Sequence, residues 1–461
     1  MKRCWYGVKR CWCELLVLVR AAGWCGLLVL AWRFPRLLAP APIRSRESTS
    51  FARPPNSAVT NTNNPHQHPL FGLTLALVLA LTACTPAPPP PAPHEAYVWQ
   101  RQWTPAVVES VKAQAPRFSG WRVLALQVVG ERVVEVTPDL AALAAAQRPV
   151  RAVVRIEGAR APLAVAALWP QLAPLMQRWR AAGVRLAGVE IDHDCATAAL
   201  GDYAGWLREL RGVLPADVAL SLTALPAWLE SPALAEVLAA ADASVLQVHA
   251  VDQPQRGLFD AARAAGWIAA WDALGRPFHI ALPAYGVRIA TGADGALHAV
   301  DAEGPVERSG AAGAELRADP MAVAGLLRRL AQQPPAHLAG YLWFRLPVAG
   351  DQRSWSPATL AAVREGAPLT ARFVVQASAT ASGAHDLVLR NDGNLDAAPP
   401  TVELPAHCRL GDALGRYRLE IAGDGRLRLS PGGDALLRAA ARMQIGWVRC
   451  EHALEHEWSI R

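Results

Sequence analysis

The sequence predicts an α/β protein, a (β/α)8 TIM-like barrel followed by a small C-terminal β-sandwich-like domain. Three observations predict it. From Ala96 to about Gly366, short apolar runs alternate with helical patterns, and eight strand candidates over roughly 270 residues match such a barrel in count and length. No glycine-rich phosphate loop follows the first strand, which sets the barrel ahead of an open doubly wound sheet. From Pro368 the texture changes to short runs split by Asn-Asp-Gly and Gly-Asp-Gly turns, the pattern of a compact β domain.

The expected barrel strands are Ala96–Gln102, Trp121–Val128, Arg151–Glu157, Leu186–Asp192, Val218–Thr223, Ser244–Ala250, Phe278–Pro283 and Ala339–Arg345. Between them run amphipathic segments at Leu163–Ala182, Asp202–Leu214, Leu234–Ala241, Leu258–Ala265 and Pro320–Gln333. Thr104-Pro105 and Thr137-Pro138 place a capping hydroxyl ahead of a proline at the first helical position, and Asp319-Pro320 does the same with a carboxylate. After the seventh strand, Val287–Val306 reads as two alternating runs around Gly292–Gly295, which is hairpin chemistry on the active face of the barrel. In the C-terminal region, strands are expected at Arg372–Gln376, Asp386–Arg390, Thr401–Leu404, Arg416–Ile421 and Arg426–Leu429. Cys408 and Cys450 either pair there or stay as buried thiols. Cys195 has no evident partner base and reads as inert.

The segments ahead of the barrel follow from composition. Leu70 to Ala83 is apolar, too short to span a bilayer comfortably, and runs into Leu81-Thr-Ala-Cys84. That pattern resembles a bacterial lipoprotein signal over residues 59–84, with Cys84 as the lipidated residue. Residues 85–95 form a Pro-rich tether reaching about 3.1 Å per residue. Residues 1–58 fit neither a signal nor a domain. They read as sequence ahead of a true start near Val59, or else as a membrane-anchoring extension. The domain reading is completed by 96–366 for the barrel and 367–461 for the C-terminal domain. The formal charge of +7 comes from the N-terminal segment, where residues 1–83 hold ten Lys/Arg and two Asp/Glu. The remaining 36 basic and 37 acidic residues give no case for nucleic acid or an anionic surface. Membrane contact is expected through the lipid anchor only.

The strongest functional signal is Leu186-Ala-Gly-Val-Glu-Ile-Asp-His-Asp194, with carboxylates at Glu190, Asp192 and Asp194. On a strand that spacing aims all three at one face, about 7 Å apart from one to the next. A strand between two helices is ordinarily apolar on both faces, so acids at its C-terminal end call for compensation or a ligand. Either they form a site, or they are an ion-pair network closing a barrel layer. Barrel sites lie at the C-terminal strand ends. Those ends also carry Arg155, Gln247, His249, Tyr285, Trp343 and Arg345. Carboxylates, imidazole, tyrosine and a Trp platform suit a polyhydroxylated, carbohydrate ligand. In the hydrolytic reading Asp194 is the acid, Asp192 orients it and raises its pKa, and Glu190 pairs with a barrel cation such as Arg155. Glu157 or Asp252 would serve as base or nucleophile. His193 should face away from its acidic neighbours, so Asp192, His193, Asp194 and His249 are not read as a metal set, and no cofactor is expected.

Two resemblances follow from these residues. Ala96–Pro105, Gly188–Asp194, Leu222–Trp228, Gln247–His249 and Tyr341–Pro347 resemble the bacterial domain-of-unknown-function family 3142, mostly predicted lipoproteins; the resemblance supplies no activity. Locally, the acid row also resembles the strand-four motif D-x-x-D-x-D-x-E of the glycoside hydrolase family 18 barrel. That motif falls on Ala187, Glu190, Asp192 and Asp194, and its acid on Asp194. The resemblance implies a glycosidase-like barrel and a sugar floor at Trp343. Gln247 and His249 stand where that family has Tyr-Asp. The alternative is a non-catalytic glycan-binding or envelope-assembly lipoprotein. Thr85 after Cys84, rather than Asp, implies the periplasmic side of the outer membrane under the sorting rule such lipoproteins follow.

Overall fold

The computed structural model describes residues 92–158, 162–249, 257–291, 297–301, 313–433, 435–451 and 459–460. Cys84, the signal expected ahead of it, most of the expected tether and Asp252 lie outside the described residues. Eight parallel strands close into a barrel: β1 (His94–Val98), β2 (Gly120–Val129), β4 (Val150–Glu157), β5 (Leu186–His193), β6 (Ala219–Ala224), β7 (Ala243–Gln247), β8 (Phe278–Pro283) and β12 (Leu338–Phe344). β1 pairs with both β12 and β2, which removes the sheet edges.

Helices α1 (Pro105–Gln114), α2 (Leu140–Ala145), α3 (Val165–Ala181), α4 (Leu200–Val213), α5 (Leu234–Ala239), α6 (Ala261–Asp272), α7 (Pro320–Gln332) and α8 (Pro357–Arg364) follow the strands in turn. The apolar stripe of α3, Leu168, Leu172, Leu175 and Trp179, is buried as its 3.6-residue spacing requires. Asp319 caps α7 through the Met321 amide at 2.9 Å, with Pro320 at the first position. Two expected caps differ. Pro105 starts α1, but the Thr104 side chain makes no capping bond. α2 begins at Leu140 and is capped by Asp139, whose carboxylate accepts from Ala142 at 2.8 Å, so Thr137 stands outside the helix.

The period of two sorts each strand into an outward residue, packed on the helices, and an inward one. Trp121 of β2, Ile191 of β5 and Trp343 of β12 belong to the outer core, whereas Tyr97, Leu124, Val153, Val245 and Leu342 pack inside the barrel. Where β5 meets β6 the chains approach so closely that a Cβ on Gly188 would sit 2.6 Å from the Ala219 carbonyl oxygen, so only glycine fits.

Two additions decorate the barrel. β3 (Arg132–Glu135) folds back antiparallel on β2, a hairpin absent from the sequence reading. The expected hairpin after the seventh barrel strand is present as β9 (Gly286–Thr291) and β10 (Leu297–Asp301), and a third strand, β11 (Gly313–Arg317), pairs on the other side of β9.

The C-terminal region holds two four-stranded antiparallel sheets. One contains β13 (Phe373–Ala379), β14 (His385–Asn391), β16 (Cys408–Ala413) and β19 (Arg442–Cys450). The other contains β15 (Val402–Glu403), β17 (Tyr417–Ile421), β18 (Leu427–Pro431) and β20 (Ser459–Ile460). Leu387, Leu389, Val402, Leu429, Ile445 and Val448 form its buried core. Cys408 and Cys450 face each other across β16 and β19 and form a disulfide. In the chain-entropy account, closing a loop of that size contributes about 4 kcal/mol.

Candidate functional site at the barrel mouth

The barrel interior is polar at two levels, and the acid row spans both. At the lower level Arg122, fully buried on β2, donates from Nη1 to Glu190 Oε2 and to Ser221 Oγ (3.1 Å), and from Nε to Glu95 Oε2 at 2.9 Å. The Tyr97 hydroxyl donates to the other Glu190 oxygen at 2.6 Å. Arg151 reaches Glu95 at 3.3 Å. Burial alone would raise the Glu95 carboxyl, but the guanidiniums of Arg122 and Arg151 outweigh it and hold its pKa below the ordinary value. His279 borders this network, and burial, then Arg122, push its pKa down to about 3, so it is neutral.

One level up, the same strand supplies Asp192 and then Asp194. Arg155, opposite Asp192 in the β4–β5 register, spans both carboxylates: Nη1 donates to Asp192 Oδ2 at 2.9 Å and Nη2 to Asp194 Oδ2 at 2.8 Å. Thr223 Oγ1 donates to Asp192 Oδ1 at 2.8 Å. Burial raises the Asp192 pKa; Arg155 opposes the rise and the neighbouring Asp194 adds to it. Burial also works against the Arg155 charge, but the two carboxylates outweigh it and raise its pKa. The Asp194 side chain is 44% exposed, against 7% for Asp192.

These groups line a cavity of about 570 Å³ together with Tyr97, Trp99, Arg101, Leu124, Glu157, Gln247, His249, Ala281, Tyr285, Val287 and Phe344. Phe344 is the hub of an aromatic wall, with ring centroids 5.2 Å from Trp99, 5.0 Å from Tyr285 and 6.1 Å from His249. Burial lowers the His249 pKa to about 4 and raises that of Tyr285, so at neutral pH both are uncharged. At the rim, Arg101 donates to Gln127 at 2.9 Å, and the Gln127 amide donates to Glu157. The result is a pocket of carboxylate and amide acceptors facing flat aromatic rings, able to hydrogen-bond hydroxyls and stack on C–H faces.

Of the residues proposed from sequence, Asp192, Asp194, Arg155, Gln247, His249 and Tyr285 line this one pocket. Three do not. Glu190 lies fully buried below, both oxygens engaged, and its cation is Arg122 rather than Arg155. Trp343 points into the helix layer, fully buried, and its Nε1 donates to His94 Nδ1 at 2.9 Å. The inward positions of β12 are Leu342 and Phe344, so Phe344 supplies the aromatic surface expected of Trp343. Arg345 is 5% exposed and turns to Asp351, with Nε at 3.0 Å and Nη2 at 2.7 Å.

Sequence reasoning missed Arg122 and Phe344. Arg122 has the inward parity of Leu124, and a buried Glu190 demands such a cation. His193 faces away from the pocket, its Nδ1 3.4 Å from the Ile156 carbonyl. Burial, then Asp202, pushes the Cys195 thiol up to about 11, which keeps it protonated at neutral pH. Among the described residues, the group of metal-capable donors is His407, Cys408 and Cys450, whose two thiols are joined as the disulfide.

No curated protein matches the chain. Among solved structures, the spore cortex-lytic enzyme SleL of Bacillus cereus is similar at 13% identity and a TM-score of 0.42, over 60% of this chain and 75% of that one. A chitinase of Chromobacterium violaceum is similar at 15% identity and a TM-score of 0.42, over 60% and 98%. A glycoside hydrolase family 30 xylanase of Clostridium acetobutylicum is similar at 11% identity and a TM-score of 0.34, over 78% and 96%. Likeness of this degree says nothing about substrate or chemistry. Residues 374–451 match a domain of unknown function, DUF8456. Residues 146–349, which carry the acid row and most of the pocket, match the domain of unknown function DUF3142, the family that the sequence motifs resemble.

Proposed function

We propose that the barrel mouth binds a glycan of the cell envelope or its surroundings and hydrolyses a glycosidic bond in it, with Asp194 as the acid. We further propose that the chain is exported and held by a lipid on Cys84 at the periplasmic side of the outer membrane. The observation that carries the first reading is the pairing of Asp192 and Asp194 on one guanidinium at the open end of an aromatic-walled cavity. Asp194 is the carboxyl that solvent, and so a ligand, reaches. Arg155 takes its Oδ2, which leaves Oδ1 to address a glycosidic oxygen. Asp192 fixes the shared cation that orients Asp194, and burial raises its own pKa. Glu157 lies on the same cavity one strand away and is the candidate base or nucleophile.

One observation favours binding without turnover. Arg155 already donates to Asp194 Oδ2, a fixed ion pair that suits gripping ligand hydroxyls. Asp194→Asn separates the two. With cell-wall fragments or arrayed glycans as substrate, the hydrolase reading expects wild-type cleavage and a loss of about 10²- to 10⁴-fold in the variant. Equal cleavage by both proteins sinks the assignment of Asp194. Binding in both with turnover in neither establishes the binding module.

A further inference from the structure

The pocket wall formed by Tyr285 is held by a strap whose far side is fastened to the C-terminal domain. The strap is Asp351–Ser356, between β12 and α8. Tyr285 and Ser354 face each other in an antiparallel bridge. On either side of Tyr285, the Gly286 amide donates to the Arg353 carbonyl at 2.7 Å, and the Trp355 amide to the Ala284 carbonyl at 2.8 Å. The Ala284 amide in turn donates to the carbonyl of Phe344, the hub of the aromatic wall, at 2.7 Å. The strap is also tied within itself: the Asp351 carboxylate accepts from the amides of Arg353 and Ser354 and from Arg345.

The C-terminal domain grips this strap from outside. Arg438 Nη2 donates to the carbonyl oxygens of Asp351 and Ser354, the latter at 2.8 Å. Asp396 Oδ2 accepts from the Ser356 amide at 2.7 Å, while its Oδ1 accepts from the Ala439 amide at 2.8 Å. The three bonds that reach the strap lie within two residues of Arg353 and Trp355, whose backbones bond on either side of Tyr285. A guanidinium on two carbonyls is a charge-assisted, two-point restraint, stronger than a neutral pair.

We propose that Arg438 is a positioning residue for the barrel pocket, so that the C-terminal domain, through Arg438 and Asp396, sets the placement of Tyr285 and Phe344. The inference rests on reading the barrel mouth as the ligand pocket, but its test needs no ligand, so it stands or falls apart from the hydrolase assignment. Amide hydrogen exchange on the full chain compares wild type with Arg438→Ala and Arg438→Lys. In Arg438→Ala, which loses both bonds to the strap, the Gly286 and Trp355 amides should exchange about tenfold faster, and Arg438→Lys should recover part of that protection. The Val189 and Ile191 amides of β5, and Leu389 and Ile445 of the C-terminal core, should not change. Unaltered exchange at Gly286 and Trp355 overturns the proposal. So does an equal acceleration everywhere, which would mark Arg438 as a general stabiliser.

Discussion

The two levels of the barrel interior use the same parts to opposite ends. Below, Arg122 bridges Glu190 and Glu95; above, Arg155 bridges Asp192 and Asp194. The lower guanidinium and Glu190 are wholly shielded, and Tyr97 and Ser221 fill the remaining acceptor sites. The upper guanidinium is 25% exposed and its outer partner 44%. Such a network stabilises only because each charge has its partner, and here both Glu190 oxygens are already taken. The half-open one keeps an acceptor facing solvent. A single row of acids therefore holds a sealed residue, Glu190, and a cavity-lining one, Asp192, two positions apart. Charge type does not separate them; distance along the barrel axis does.

The largest expected effect breaks this contrast most directly. Arg122→Met should destabilise the chain by about 3–5 kcal/mol in denaturant unfolding, since it strands the fully buried Glu190 and leaves Glu95 only Arg151. Arg155→Met should cost only about 1–2 kcal/mol, because water screens Asp194 and Asp192 can take up a proton. Equal losses from the two would erase the distinction. Next, Tyr97→Phe should cost about 1.5–3 kcal/mol through the lost bond to Glu190, while leaving the shape of the pocket floor unchanged.

The pH dependence is the subtlest. His279 has a folded pKa near 3 against an ordinary 6.5, so the unfolded chain binds the proton first. Its contribution to stability is present above 6.5 and is lost as pH falls from 6.5 toward 3, by at most about 1.4 kcal/mol per pH unit. His279→Gln should flatten that slope in unfolding experiments at pH 4 to 7. His249 on the upper level and His94 outside act in the same direction down to about 4, so some slope remains. A slope identical to wild type would show that His279 is not held neutral.

Much of this was legible from residue order, and the exceptions have physical causes. The barrel strands stand within a few residues of their expected positions, because alternation with amphipathic helices is a long-range pattern that local noise does not erase. β16 and β19 were missed. β16 is a polar edge strand with Gly411 in its middle, and the β14–β19 pairing is broken by a bulge at Leu387/Val388, so neither shows clean alternation. The strand-end list gathered most of the pocket because register places those ends on one rim. It failed at Trp343 for want of parity: Arg345, two residues on, shares its outward face, and the Arg345 charge is met by Asp351 rather than by a ligand pocket. Arg122 was hidden because it stands alone in an apolar run.

Tyr97 belongs to both levels: its ring lines the cavity and its hydroxyl is bound to Glu190. The floor of the pocket is thus also the roof of the ion network. Variation should distribute accordingly. A polar, half-buried wall residue such as Gln247 can change at less risk to folding, and a lineage or an engineer can reshape the pocket there. The floor offers no such latitude, since altering Tyr97 disturbs the charges that close the barrel. New specificities on this scaffold should therefore arise from the sides of the cavity inward, with its base inherited nearly unchanged.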